Sequence, residues 1–303
     1  MFNKLSLHHR RQLWAYAFIL IPLFFFLAIR IGPTLFALNI SVREWNILSP
    51  EKPFVGLANF ERIWQDFQNP KSVVRRAFQN TFAYVTIGVP VQLVLALAIA
   101  LMLDRITKLV GFFRAIYFIP FVTSTVAISW VWRWMYQPRF GPINIFLSFL
   151  GLPEQNFLRN PDQALLSIVA VAIWQGLGFA IIIFLAGLKQ IPQMYYEAAR
   201  IDGASRGQLF RHVTLPLLNP TIVYVVVLQS IGFLRMFTQV INMTRQGDGG
   251  PLNSTVTVVL HMYREGFGRY KMGSAAALMV VLFLIIMVIT LLQMRLLTRR
   301  VEY

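Results

Sequence analysis

The sequence contains no cysteine, which excludes disulfides, thiolate nucleophiles and cysteine-based metal sites. Charge is scarce too. Only 13% of the residues are Asp, Glu, Lys or Arg, against about 25% in a soluble domain. Acids are the rarer sign, with 12 Asp+Glu against 28 Lys+Arg. There are four histidines. His212 and His261 have no second ligand nearby, so no metal site is expected. No GxxxxGK[ST] run occurs, so the chain carries no phosphate loop for ATP. The Gly-rich segment GDGGP at 247–251 reads as a flexible turn, because a phosphate cradle needs a strand before it and a helix after it.

Apolar residues are what the chain has in quantity. It is 57% hydrophobic with a mean hydropathy of +0.60, which marks a membrane protein. Six segments reach the roughly 20 apolar residues that a membrane crossing needs: 14–40, 77–103, 112–135, 164–188, 218–243 and 273–296. The first is too long for a signal-peptide apolar region and lacks a clear cleavage site, so it reads as a retained helix despite Lys4, Arg10 and Arg11 before it. The expected fold is all-α, with six transmembrane helices and both termini on one side. A single domain over 1–303 is expected, with an N-terminal helix at 14–40, core helices within 77–296 and a polar loop at 189–219. A cytoplasmic N-terminus gives the inside segments 13 Lys/Arg in 64 residues and the outside segments 12 in 95. That density bias follows the positive-inside rule. The net charge of +16 is dispersed around the spans, which suits anionic headgroups rather than nucleic acid.

The outside segments have room for surface helices. Leu57, Phe60, Ile63, Trp64 and Phe67 recur at helical spacing, which predicts an amphipathic interfacial helix over 56–67. Gly141-Pro142, Gly151-Leu152-Pro153 and Asn160-Pro161 break the 137–161 region into turns.

The polar interruption at 189–219 has a readable local grammar. Pro192 suits a first helical position. Residues 192–201 favour helix, and Gly203 is placed to end it in a left-handed cap. Ser205 starts a second short helix to about Val213, and Leu215-Pro216 is expected to stop it. Two such helices are marginal alone. Met194, Tyr195, Ala198 and Ile201 need a cover, either a groove on a partner protein or lipid headgroups.

The segment EAARIDGASRGQLFRHVTLP at 197–216 resembles the coupling loop of the EAA-type membrane subunits of bacterial ABC importers. GLANF (56–60), NTFAYV (80–85), FFRAIYFIP (112–120), WRWMYQPRFGPIN (132–144), LAGLKQIPQMYYEAARIDGAS (185–205) and GGPLNSTVTVVLHMYREGF (249–267) narrow the likeness. They resemble carbohydrate-importer permeases of the maltose and glycerol-phosphate type. The likeness runs from about residue 10 to 297. RQGDG at 245–249 departs from the family's shorter turn. The resemblance implies a type I permease fold in a bacterial inner membrane. It also implies partners: two nucleotide-binding subunits that hold ATP and Mg, a second similar permease and an external solute-binding protein. This chain itself would hold no cofactor. Glu197, Ala198 and Ala199 would face a groove on the ATPase. Gly203 would aim the second helix. Arg200, Asp202 and Arg206 would make rim contacts, and Leu215-Pro216 would close the loop.

A sugar path needs hydrogen-bonding groups and aromatic faces at membrane depth. The candidates are Asn80, Tyr84 and Gln92 in the second segment, Trp174 and Gln175 in the fourth, and Gln229 with Phe233 in the fifth. Each has a competing role as a hydrogen bond between helices. Arg235 is the one charge deep in a predicted span. It could meet a phosphate or carboxylate, an acid on a partner, or backbone carbonyls; a partner or gate contact is favoured. A neutral glycoside is favoured over glycerol phosphate. An ion-coupled transporter is disfavoured because the spans hold essentially no Asp or Glu. An enzyme is disfavoured because no carboxylate pair, His cluster or Ser/His/Asp set lies at membrane depth.

Overall fold

A computed structural model describes residues 7–106, 110–244 and 247–298. Lys4, residues 107–109, the first two residues of the RQGDG turn and residues 299–303 lie outside the described residues. Among the described residues the regular structure is helical, with two isolated antiparallel bridges, Arg43 to Phe54 and Asn46 to Lys271. In chain order the helices are α1 (Leu7–Phe26), α2 (Gly32–Ser41), α3 (Ala58–Gln68), α4 (Val73–Asp104), α5 (Val110–Val122), α6 (Thr125–Met135), α7 (Pro142–Phe149), α8 (Pro161–Lys189), α9 (Gln193–Ile201), α10 (Arg206–Leu209), α11 (Leu215–Leu217), α12 (Asn219–Leu234), α13 (Thr238–Met243), α14 (Val258–Tyr263) and α15 (Met272–Leu297).

Four runs are long and apolar enough to cross a membrane: Arg11–Ser41, Val73–Asp104, Pro161–Lys189 and Met272–Leu297. Two bent pairs raise the number to as many as six. Gly111–Val122 meets Thr125–Met135 at 95°, and Arg206–Leu217 meets Asn219–Leu234 at 66°.

Two predicted spans are therefore not the unbroken helices that hydropathy suggests. In 112–135 the Thr123 hydroxyl bonds back to the Ile119 carbonyl at 2.7 Å, and Ser124 leaves the helical region at φ −52°, ψ 123°. In 218–243 the helix ends at Leu234, and Phe237 takes φ −140°, ψ −55° before α13 begins. The Thr257 hydroxyl donates to the Met236 carbonyl at 2.8 Å, so the break leaves that carbonyl satisfied away from water. Apolar length alone carries no information about such side-chain substitutes.

By internal contacts the chain forms two compact units, Met1–Trp64 with Met262–Val280, and Gln65–His261 with Val281–Tyr303. In the first, α1 and α2 are joined by a wide turn at Leu27–Ile31, and the apolar side chains of α1 are exposed along its length. The predicted 56–67 helix forms as α3. Its buried Asn59 donates to the Ser41 and Arg43 carbonyls at 2.8 and 2.9 Å.

The second unit is built on α4 and α8. Ala96 and Ala100 of α4 are fully buried against Ala180, Ile181 and Phe184 of α8, with Leu218 and Val225 completing the cluster. Small side chains let the two backbones approach, which is how apolar helices gain packing energy where lipid offers no hydrophobic drive. α15 joins this unit through Gln293, whose amide donates to Ser230 Oγ at 2.8 Å, and through its terminal Leu297 carbonyl, which accepts from Asn219 at 3.0 Å.

Candidate functional site

The loop after α8 forms the expected pair of short elements. Pro192 precedes α9 in an extended conformation (φ −61°, ψ 134°), one position earlier than the sequence suggests. Tyr196 turns inward, its hydroxyl 3.1 Å from Thr214 Oγ1. The opposite face stays open, with Met194 67% and Ile201 86% exposed. With exposed Ala198 they fall at i, i+4 and i+7, one stripe along the helix. Exposed Glu197 sits beside that stripe, Ala199 is half-buried, and Arg200 and Asp202 are exposed.

Gly203, at φ +77°, ends α9. Its N–H donates to the Arg200 carbonyl at 3.0 Å, and Ala204 N–H donates to Ala199 at 2.9 Å. These are the two bonds of a Schellman cap, and a side chain at Gly203 would strain them. Ser205 then opens α10 with a capping box: Gln208 N–H donates to Ser205 Oγ, and Ser205 N–H to Gln208 Oε1 at 2.7 Å. Arg206 follows, exposed. A cavity of about 290 Å³ lies against this turn, lined by Ala199, Asp202, Gly203, Gln208 and His212.

Leu215-Pro216 does not stop the second helix, contrary to the sequence expectation. A wide π-turn at Phe210–Thr214 sends the Leu215 N–H to the Phe210 carbonyl. Leu218 N–H reaches Thr214 at 2.9 Å past the proline. Pro216 lacks an N–H and sits within the first two residues of α11, where none is needed. The chain then bends by 66° into α12.

The membrane-depth candidates separate into three groups. Gln92, Gln175, Gln229 and Phe233 line one cavity of about 220 Å³ with Phe121, Thr125 and Gln239. Gln175 donates to Thr125 Oγ1 at 3.0 Å and accepts from Gln239 at 3.4 Å. Gln92 is 1% exposed, and among the described residues neither its Nε2 nor its Oε1 has a hydrogen-bond partner. A Cβ at Gly176 would meet that amide, so any side chain there would displace the Gln92 head group. Among the described residues no charged side chain lines the cavity.

Asn80 and Tyr84 serve elsewhere. Asn80 donates to the Asn253 and Val256 carbonyls at 2.9 and 3.0 Å. The Tyr84 hydroxyl donates to Thr255 at 3.4 Å. Together they hold the 253–256 segment against α4. Trp174 is 40% exposed and lies edge-on to Trp132 at 5.3 Å, outside the cavity lining. Arg235 is exposed at the end of α12, also outside that lining. At the far end of α6, Tyr136 donates to the Ser167 carbonyl at 3.3 Å. Burial pushes its phenol up to about 12, so it remains a donor at any physiological pH.

Gln239 and Thr125 were not legible as site residues. On a continuous helix, ten residues carry Gln239 about 80° away from Gln229, and only the break at 235–237 returns it to the same cavity. A polar amide inside the 218–243 apolar run was the available signal. Among the described residues no group of three His, Cys, Asp or Glu could hold a metal ion.

Residues 68–303 match the family described as binding-protein-dependent transport system inner membrane component. The trehalose/maltose transport system permease protein MalF of Thermococcus litoralis is 34% identical over 284 residues, covering 92% of this chain and 93% of that protein. The sn-glycerol-3-phosphate transport system permease protein UgpA of Agrobacterium fabrum is 33% identical over 252 residues, covering 82% and 83%. A chain of a bacterial alginate ABC transporter, solved with an alginate pentasaccharide-bound periplasmic protein, shares the fold: TM-score 0.81, 23% identity, 94% of each chain covered. With most of its length matched, this chain belongs to the binding-protein-dependent transport system inner membrane component family, and it is a multi-pass inner-membrane permease subunit of an ABC transporter rather than an enzyme.

Proposed function

We propose that this permease lines half of an import path for a neutral sugar or glycoside, delivered by an external solute-binding protein. The observation that carries the reading is the cavity in which four glutamine side chains meet and, among the described residues, no charged side chain is present. An amide both donates and accepts, as a sugar hydroxyl does. Phe121 and Phe233 supply apolar faces beside the amides. Both polar atoms of Gln92 would gain partners from a hydroxylated ligand. Glycerol phosphate would need a cation in the same cavity, and Arg235 lies outside the lining. Arg235 is better placed for a partner subunit or a gate.

The residues 1–303 act as one permease domain, with each bent pair counted as one of six spans and both termini cytoplasmic. A second permease completes the path, and two ATPase subunits bind ATP and Mg. Their groove takes the exposed stripe of α9 with Glu197, Ala198 and Ala199, while Arg200, Asp202 and Arg206 contact the rim. Closure of the ATPase pair draws the coupling helices together and opens the path outward; hydrolysis resets it.

The test is transport by the assembled complex in vesicles with its binding protein. Gln229→Leu should lower glycoside uptake about ten-fold, the weight of one or two lost hydrogen bonds, with the ATPase subunits still co-purifying. Unchanged uptake, or stimulation of ATP hydrolysis by glycerol phosphate and not by glycosides, would sink the reading.

A further inference from the structure

A cleft of about 970 Å³ lies where α4 and α8 end against the loop that follows α8. Four cations line it: Arg105 and Lys189 from the ends of the two long helices, Arg200 from α9 and Arg206 from α10. Among the described residues Asp104 is the single carboxylate in the lining. None of these five side chains makes a hydrogen bond or ion pair with another described residue. The rest of the wall is mixed: Leu101, Leu188, Leu209 and Phe210 supply an apolar part, Gln190 and Gln193 add amides, and Tyr196 and Thr214 add hydroxyls. The cleft thus has an excess of three positive charges, beside hydrocarbon, at the level where two membrane-length helices stop.

We propose that the cleft holds a phosphate-bearing anion, and that its source is the headgroup of an anionic phospholipid. Charge alone would suit inorganic phosphate equally. The apolar part of the wall favours the lipid, because a glycerophospholipid fills both halves of the cleft and a free anion fills one. The cations come from the span ends on one side and the loop on the other, so a bound anion ties the loop to the spans. An empty cleft leaves an uncompensated excess of positive charge along its wall, which loosens that joint. Membrane lipid composition would then tune how firmly the loop transmits motion. This inference goes beyond the sugar path; because Arg200 and Arg206 are shared with the proposed ATPase rim, its test rests on Arg105 and Lys189.

The experiment uses the whole complex in nanodiscs of phosphatidylcholine with and without phosphatidylglycerol. Lipid retained on the complex is read by native mass spectrometry, and ATP hydrolysis is read in parallel. The wild type should retain phosphatidylglycerol and hydrolyse ATP in proportion to it. Arg105→Gln with Lys189→Gln should weaken retention roughly twenty-fold, about five-fold for each base beside an anionic surface, and should flatten the lipid dependence. Arg105→Lys with Lys189→Arg should retain the lipid. If the neutral double variant does not assemble, salt titration of the wild type decides, since a charge-held lipid must be released as salt rises. Inorganic phosphate reproducing the effect in neutral nanodiscs would overturn the lipid source. Equal retention by wild type and the neutral variant, or an acidic ATPase segment cross-linked into the cleft, would overturn the site.

Discussion

The loop after α8 and the glutamine cavity treat their polar groups in opposite ways. In the loop, backbone groups at the element ends are satisfied within a few residues, by the Schellman cap at Gly203 and the capping box at Ser205, while side chains such as Glu197 and Arg200 face outward. In the cavity most of the backbone is held in helices, and it is a side-chain amide, that of Gln92, that remains unsatisfied among the described residues. The turns of the loop are therefore set by bonds within a few residues, while Tyr196 and Leu217 pack it against the core. The cavity is a place where hydrogen-bonding capacity is left open, at a cost of roughly 1–3 kcal/mol for each buried unpaired group.

The sharpest way to break that contrast is Gly203→Pro. Proline fixes φ near −65° and has no N–H, whereas this position needs φ +77° and donates to Arg200. Uptake should fall at least 100-fold with the protein still in the membrane; normal uptake would mean that the loop shape is dispensable. Gln175→Leu removes bonds to Thr125 and Gln239 at once. It should cut transport about ten-fold, or about 1.4 kcal/mol, while ATPase subunits still co-purify. A loss confined to protein abundance would make Gln175 a helix-to-helix bond instead. Gln92→Met keeps length but removes an orphaned amide, so thermal unfolding of the complex should rise by about 1 kcal/mol of stability while uptake drops. A destabilised variant would show that Gln92 is already satisfied. The smallest effect is expected from Ser205→Ala, which loses a helix cap worth about 1 kcal/mol. It should appear as faster amide exchange in 205–209 with modest loss of transport.

The same contrast explains what the sequence made legible. Gly203 and Ser205 could be read because their partners lie within five residues of them. The chemistry of Asn80 could not, because its carbonyl partners are 173 and 176 residues away. Hydropathy located the apolar segments but not the breaks at Ser124 and at 235–237, since a hydroxyl that replaces a helical bond is invisible to an average. Pro216 was misread for a related reason: a π-turn five residues long moved the bend beyond the proline, to Leu218. Gln92, Gln175 and Gln229 stand out as amides in apolar runs, with Phe233 one turn beyond Gln229; the packing of α4, α8 and α12 brings these four to one cavity, and the break after α12 adds Gln239.

The bend at Leu218 also sets a lever ratio. From Asn219 to Gln229 the helix rises about 15 Å. A rotation of about 10° about the bend carries Gln229 sideways by about 2.6 Å, close to the length of one hydrogen bond. A small rotation at that corner is thus amplified to the scale of a hydrogen bond at Gln229, so the stiffness of the bend limits how far that wall of the cavity can swing.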